Sequence, residues 1–551
     1  MFSLRILKDV VLELFFDAEG DKMNSALSKQ RFRVVEILLL LANATFALLF
    51  SLIFLEILWG TTQRVPASLL KYILMFALWI ASIVGLVCLY NKLSQKTWGN
   101  ICARGIVIVL LGIQMFYVWC VYSQVDSDAY AVNYIAYHFV RGDLSNQSLF
   151  WTEYLSYYTN NMPFTQLLVS AYRCYLPATL EDSWLLLSGL AAFLADLAIF
   201  FVYKLVKLLL GSRMAIVAFF LSVPMIALSE SGSIFYTDIV ALWTIPAALY
   251  ILLRIKNTSF QKRWIRCCVA AAVLAFGTWT KPQVAVSVIA LCIVWVLDII
   301  RPSASGKVKL ALLAELLLVF FIFTFLLQTS TQVALNTVVG KDLVERNEFP
   351  MQHFIAMGLN RQSNGAYDER DVQETKEKVG IEAKKKFLHE KIATRIETMG
   401  VGGLAIHLNK KLIQGVGNGT FTQGKTWKGV LLNTSPTAVT IQNWFVVDTE
   451  GWKMVTSVWI QSGYLLIMLC ITHSSLYALL SSKKERKKEL FLATNIIRIA
   501  LIGIVLFLLL LECNLRYLYT MMPLMIVLCV YDIKNVLSVK THRLKEQRFT
   551  I

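Results

Sequence analysis

The chain is 551 residues long and 57% hydrophobic, with a mean hydropathy of +0.60. Only 16% of its residues are charged, against about 25% in an ordinary soluble domain. Its net charge of +17 is broken into short clusters between apolar runs, the pattern of inner membrane loops rather than of a nucleic-acid-binding face.

Residues 1–33, "MFSLRILKDVVLELFFDAEGDKMNSALSKQRFR", carry a short apolar patch without the small-residue end of a cleavable signal, and are expected to form a cytoplasmic amphipathic helix on the membrane surface. Apolar stretches then recur at 34–57, 70–90, 104–122, 184–209, 213–230, 237–254, 264–280, 282–300, 308–329, 455–478, 491–511 and 515–533. Each is near the length that crosses roughly 30 Å of hydrocarbon, so the fold class is an all-α polytopic membrane protein with about twelve spans. One orientation puts every basic cluster inside: Arg31 and Arg33, Lys92 to Arg104, Lys204 to Arg213, Arg254 to Arg266, Arg301 to Lys309, the run "SSKKERKK" at 481–488, and the tail 534–551. That orientation requires 163–176, "PFTQLLVSAYRCYL", to lie at the interface rather than cross, as its shortness and Arg173 suggest. The chain then divides into an N-terminal hairpin (34–103), a transmembrane core (104–329) with an outer loop at 123–183, a large outer segment (330–454), and C-terminal helices (455–533). Both termini are placed in the cytoplasm.

With this topology each outer turn after the first brings an ionisable residue to the hydrocarbon boundary. Asp126 and Asp128 follow the third span, "SESGSIFYTDIVALW" holds Glu230 and Asp238, "FGTWTKPQ" holds Lys281, and "LECNLRYLYTMMPL" holds Glu512 and Arg516. Isolated charges here could end helices and snorkel to the headgroups, but such anchors would be mostly Lys and Arg, whereas this set mixes carboxylates with cations. Ionisable groups at this depth are candidates for function. Cations beside a carboxylate suit a reaction in which a phosphate is held while a hydroxyl loses its proton. Asp126 and Asp128 are two apart and point away from one another on a helix, and an N-cap is the plain structural role for Asp128. None of the ten cysteines forms a CxxC pair, the six histidines form no HExxH, and neither a Walker nor a dinucleotide fingerprint is present. No metal-ligand cluster stands out.

The order "DAYAVNYIAYHFVRGD", "YYTNNMPFTQLL", "YTD", "HFIAMGLNRQSNGAYDERDV" and Glu512, Arg516, Tyr517, Pro523 resembles the multi-spanning glycosyltransferases of the GT-C superfamily, and within it a branch of Gram-positive envelope enzymes that includes teichoic acid ligase-like proteins. The likeness runs from about 105 to 535. It implies a plasma-membrane enzyme with an extracytoplasmic active site, taking a sugar from undecaprenyl phosphate or pyrophosphate to teichoic acid, wall polysaccharide or a glycolipid. A ligase moving a preassembled chain to a glycolipid anchor is the alternative within the fold. A divalent cation serves some members, and no nucleic acid is implied. The resemblance places the catalytic carboxylate at Asp126 or Asp128 with Asp238 assisting, and the donor phosphate on Lys281 and Arg516. Acceptor contacts fall to Glu230, Asn160, Asn161, His353, Asn360, Arg361, Tyr367 and Glu512. The two spans before 104 depart from the family pattern. The piece 369–400 reads as a solvated helix whose lysines have no catalytic part. A transporter of envelope lipids is the rival from another class, and it would want charges at mid-membrane depth and broken, repeated helices.

Overall fold

The computed structural model describes residues 25–64, 67–93, 99–143, 148–255, 259–301, 306–421, 429–446, 452–480 and 489–549. Of the N-terminal surface segment expected over 1–33, residues 1–24 lie outside this set and 25–33 fall within the first long helix; the basic run 481–488, the side chain of Glu230 and those of the tail beyond 538 also lie outside.

The described chain is almost entirely helical. Three long helices open it: α1 (Ser25–Arg64), α2 (Leu69–Leu93) and α3 (Gly99–Val121). Short elements follow: strand β1 (Ser123–Gln124), α4 (Ser127–Arg141), α5 (Ser148–Tyr157) and α6 (Met162–Cys174). The next group is α7 (Leu180–Leu210), α8 (Ser212–Ser222), α9 (Thr237–Ala241), α10 (Thr244–Leu253), α11 (Phe260–Thr280), α12 (Val284–Ile300) and α13 (Gly306–Val338). A polar group comes next: α14 (Lys341–Asn347), α15 (Met351–Gly358), α16 (Glu369–Lys376), α17 (Ile381–Val416), β2 (Val430–Leu431) and α18 (Pro436–Phe445). The chain closes with α19 (Trp452–Leu480), α20 (Glu489–Leu510), α21 (Arg516–Tyr519) and α22 (Met522–Phe549).

By length and composition, six described helices can cross a membrane: within Gln30–Gly60, Leu69–Lys92, Leu180–Leu210, Gly306–Val338, Val455–Leu480 and Leu490–Leu510. Shorter apolar helices run over Ile108–Val121, Ser212–Ala227, Thr237–Leu253 and Val284–Ile300. Several stretches that look continuous in sequence are broken, and proline is the cause. Pro224 has no N–H and its ring opposes the carbonyl four residues back, so α8 gives way to a π turn at Val223–Ala227 and a 3-10 turn at Glu230–Ser233. Pro246 likewise separates α9 from α10, and Pro523 sits where α22 restarts after α21. These interruptions leave short turns carrying Asp238 and Arg516 at one end of the bundle.

The helices pack through small residues where backbones must come close. Along α7, Ala191, Ala195, Ala198 and Val202 form a fully buried seam facing α8, α10 and α22. Gly277 of α11 serves the same end: a Cβ there would stand 2.5 Å from Thr244 Oγ1 on α10. The start of α7 is set by a capping box, Thr179 Oγ1 accepting from the Asp182 amide at 3.1 Å while Asp182 takes the Thr179 amide at 3.2 Å. α6 has thirteen residues, about 20 Å of helix, and buries one face against α4. β1 pairs antiparallel with β2, Ser123 opposite Leu431 and Gln124 opposite Val430, tying the loop after α3 to the polar segment.

The expectation of a simply solvated helix over 369–400 is corrected. It is two helices, and α17 turns at Gly400, whose φ of 58° favours glycine. Lys384 is fully buried and donates to the carbonyls of Arg346 at 3.1 Å, Asn347 and Glu348, capping the C-terminal end of α14. Lys391 is mostly covered and pairs with Asp371 at 2.7 Å.

Candidate functional site

Asp128 lies in the first turn of α4, on a chain redirected by Ser127 at φ 67°. The N-cap position belongs to Asp126, which is exposed and makes no capping hydrogen bond. The capping role considered for Asp128 is therefore replaced by a different set of contacts. Its Oδ1 accepts from Tyr154 Oη at 2.8 Å. Tyr154 in turn accepts from Asn161 Nδ2 at 2.7 Å, and Asn161 Oδ1 accepts from Tyr236 Oη at 2.8 Å. The Tyr236 ring faces the Arg516 guanidinium, 4.9 Å from its centroid, and Arg516 Nη2 returns to Asp128 Oδ2 at 3.7 Å. Asp128, Tyr154, Asn161, Tyr236 and Arg516 thus form a closed circuit drawn from five separate elements.

Arg516 joins this circuit to a second one. Its Nε stands 3.9 Å from Asp238 Oδ2, and Lys281 Nζ meets Asp238 Oδ1 at 2.7 Å. Lys281 also donates to Thr237 Oγ1 at 3.3 Å and lies 4.6 Å above the Tyr517 ring. The burial is unequal. The Asp238 and Lys281 side chains are 9% and 8% exposed, whereas Asp128 is 35% exposed. A buried Asp238–Lys281/Arg516 ion-pair network therefore holds one carboxylate as a structural partner, while a second carboxylate on the same arginine faces the open side. Burial lowers the Lys281 ammonium against the pull of Asp238, and burial raises the Glu512 carboxyl against the pull of Arg516. Glu512 sits in the turn before α21, within electrostatic reach of Asp128 and Lys281.

The other residues singled out from sequence separate into two groups. Asn161 is in the circuit, while its neighbour Asn160 is exposed. Tyr367 is half-exposed, donates to Glu369 at 2.5 Å and borders Tyr158 at the edge of Asp128's surroundings. His353 does not join the Asp128–Arg516 circuit. It is buried, stacked on Phe349 at 4.2 Å, with Nδ1 paired to Thr375 Oγ1 at 3.0 Å. Asn360 braces Asp371 at 3.1 Å, and the exposed Arg361 lines a cleft beside it. Among the described residues, no group of three or more His, Cys, Asp or Glu is placed to hold a metal ion.

Sequence reasoning missed Tyr154, and it noticed Tyr236 and Tyr517 only within the stretches that carry the resemblance. Tyr154 and Tyr236 carry the hydrogen bonds that fix Asp128, yet in an aromatic-rich membrane chain they read as interface anchors. The signal available was position, since Tyr236 directly precedes Thr237 and Asp238, and Tyr517 directly follows Arg516. Lys411 was missed too. It is fully buried on α17 and donates to Leu509 O at 2.9 Å, which secures the end of α20 just before the Glu512 turn.

A family model described as "Conserved hypothetical integral membrane protein" matches residues 26–537, and the chain belongs to that family. No curated protein matches it.

Proposed function

We propose that this integral membrane protein transfers a glycosyl unit from an undecaprenyl-phosphate or -pyrophosphate donor to a hydroxyl on an extracytoplasmic envelope acceptor. The observation that carries the reading is the shared arginine: Arg516 lies between the partly exposed Asp128 and the buried Asp238–Lys281 pair. Asp128 takes the proton from the acceptor hydroxyl as its oxygen bonds to the anomeric carbon. The bond from that carbon to the donor phosphate oxygen breaks, and the electron pair leaves with the phosphate, whose added charge Arg516 and Lys281 neutralise. Tyr154 holds Oδ1 of Asp128 and Arg516 stands 3.7 Å from Oδ2, and the acceptor proton is assigned to Oδ2. The Tyr236 and Tyr517 rings hold the two cations in place without adding full negative charge.

The GT-C likeness of the sequence supports the donor class, and the six helices able to cross a membrane support a lipid-borne substrate. The test is transfer of label from a polyprenyl-linked sugar extract to acceptor by purified protein. Asp128→Asn should lower the rate by about 10²–10⁴-fold, whereas Asp126→Asn should leave it near wild type. Full transfer by Asp128→Asn would overturn the assignment. The mass gained by the acceptor separates single-sugar transfer from delivery of a preassembled chain by the same groups.

A further inference from the structure

A second polar site lies on the segment between α13 and α19. A cleft of about 320 Å³ opens between the 359–362 turn, α16 and α17, and its charged lining is Arg361, Arg370, Lys391 and Arg395 against Asp371 and Glu374. Four cations therefore face two carboxylates. Asp371 is 3% exposed and ties the site together. Arg395 grips it with Nη2 at 2.6 Å and Nη1 at 2.9 Å, and Lys391 meets it at 2.7 Å. Lys391 also reaches Glu374 at 2.5 Å. Asn360 donates to Asp371 at 3.1 Å and accepts the Gln362 amide at 2.9 Å, so the turn carrying Arg361 is fixed to the same carboxylate. The two carboxylates thus bind Lys391 and Arg395, while Arg361 and Arg370 project from the exposed rim.

We propose that this cleft binds an anionic group, a phosphate or carboxylate, on a water-borne glycan chain. The cleft carries two more cations than carboxylates, and the floor formed by Lys391, Arg395, Asp371 and Glu374 is fixed before a ligand arrives, so an anion meets the rim arginines over a settled polar surface. The pocket volume falls at the lower end of small-molecule sites, roughly 300–1,000 Å³, which suits one charged unit of a chain. The walls argue for a water-borne ligand rather than one buried among acyl chains: the turn after α16 carries Glu377, the first half of α17 carries Glu382, Lys385 and Glu390, and neither can lie in hydrocarbon. A chain of contacts leads from the cleft towards the ion-pair site. α16 begins at Glu369, which holds Tyr367, which borders Tyr158 beside Asp128. Resting on the transferase reading, the cleft would hold the acceptor some distance from its reacting hydroxyl, and the acceptor would be acidic.

Binding can be measured apart from catalysis. Purified full-length protein in detergent is titrated with a fluorescent short-chain polyphosphate, an oligogalacturonate and a neutral dextran oligomer. One or both anions should bind, the neutral oligomer should not, and whichever binds names the group as phosphate or carboxylate. Arg361→Ala and Arg370→Ala should each weaken binding by about 10-fold, and raised salt should weaken it further. Lys385→Ala, a control on the exposed side of α17, should change little. Binding retained by Asp128→Asn would place the anion at the cleft. The inference is overturned if both rim variants bind as tightly as wild type, or if dextran binds equally well. Anion binding lost in the rim variants, in a protein that transfers no sugar, would sustain the cleft and sink the transferase reading. Sugar transfer with unchanged anion binding in both rim variants would do the reverse.

Discussion

Removing Lys281 should expose how much of this fold rests on one buried ion pair. Lys281 and Asp238 are both buried and meet at 2.7 Å. Lys281→Met keeps the stem volume and deletes the charge, leaving Asp238 buried with Arg516 Nε at 3.9 Å as its remaining cation. Breaking a buried pair from one side costs about 3–5 kcal/mol, because a charge is left without its partner. The nearby arginine puts the expected loss near ~3 kcal/mol. Replacing both partners removes that orphaned charge, so Lys281→Met/Asp238→Leu should recover most of the loss and lie within ~1 kcal/mol of wild type. The assay is a denaturant titration in detergent micelles followed by tryptophan fluorescence, with size-exclusion profiles to verify folded starting material. The double-mutant cycle, with Asp238→Leu as the second single, should give a favourable coupling, because the double variant is expected to be more stable than either single. A Lys281→Met protein as stable as wild type would refute the argument, as would a double variant no more stable than the weaker single.

Two further outcomes follow from the same contacts. Tyr154→Phe removes the hydroxyl that donates to Asp128 and accepts from Asn161; it should cost about 1–3 kcal/mol in the same titration, and a loss under ~0.5 kcal/mol would mean that the circuit is not built around it. His353 gives a pH signature. Burial lowers its pKa from 6.5 to about 4, with Lys391 and Lys384 adding to the shift against Asp371. Between those values the unfolded chain takes up a proton that the folded chain refuses, so stability is full above the ordinary value and falls as pH drops from 6.5 towards 4. The loss should reach about 2–3 kcal/mol. In His353→Phe, which keeps the stack on Phe349, this part of the slope should vanish when stability is measured across the window.

Much of the site's location was legible because membrane burial makes charge expensive. Asp128, Asp238, Lys281 and Arg516 stood out as ionisable residues at the ends of apolar runs, and the structure brings all four together. Which of Asp126 and Asp128 meets Tyr154 and Arg516 was not legible. Asp126 sits at the N-cap and Asp128 in the first turn of the same helix, and the packing of Tyr154 and Arg516 against Asp128 alone depends on distant segments. His353, Asn360 and Arg361 share one polar stretch and looked like one acceptor surface. The turn at 359–365 and the helix α16 send them to different places: His353 into a buried stack, Asn360 and Arg361 to a cleft around Asp371. The lysines of α17 looked solvated because helical spacing alone does not reveal that Lys384 meets the end of α14.

By itself, the sequence determined that the chain is helical and embedded in a membrane, and that charge gathers where apolar runs end. Those properties follow from the local cost of exposing backbone and placing charge in hydrocarbon, which each segment carries in its own composition. Tertiary structure alone decided which charges meet. Proline interruptions at 224, 246 and 523 set where the helices break, small-residue seams set how closely they approach, and contacts between distant segments then joined Asp128 to Arg516 and Asp238 to Lys281. An ion pair depends on distance in space, and that distance was settled only when the helices packed.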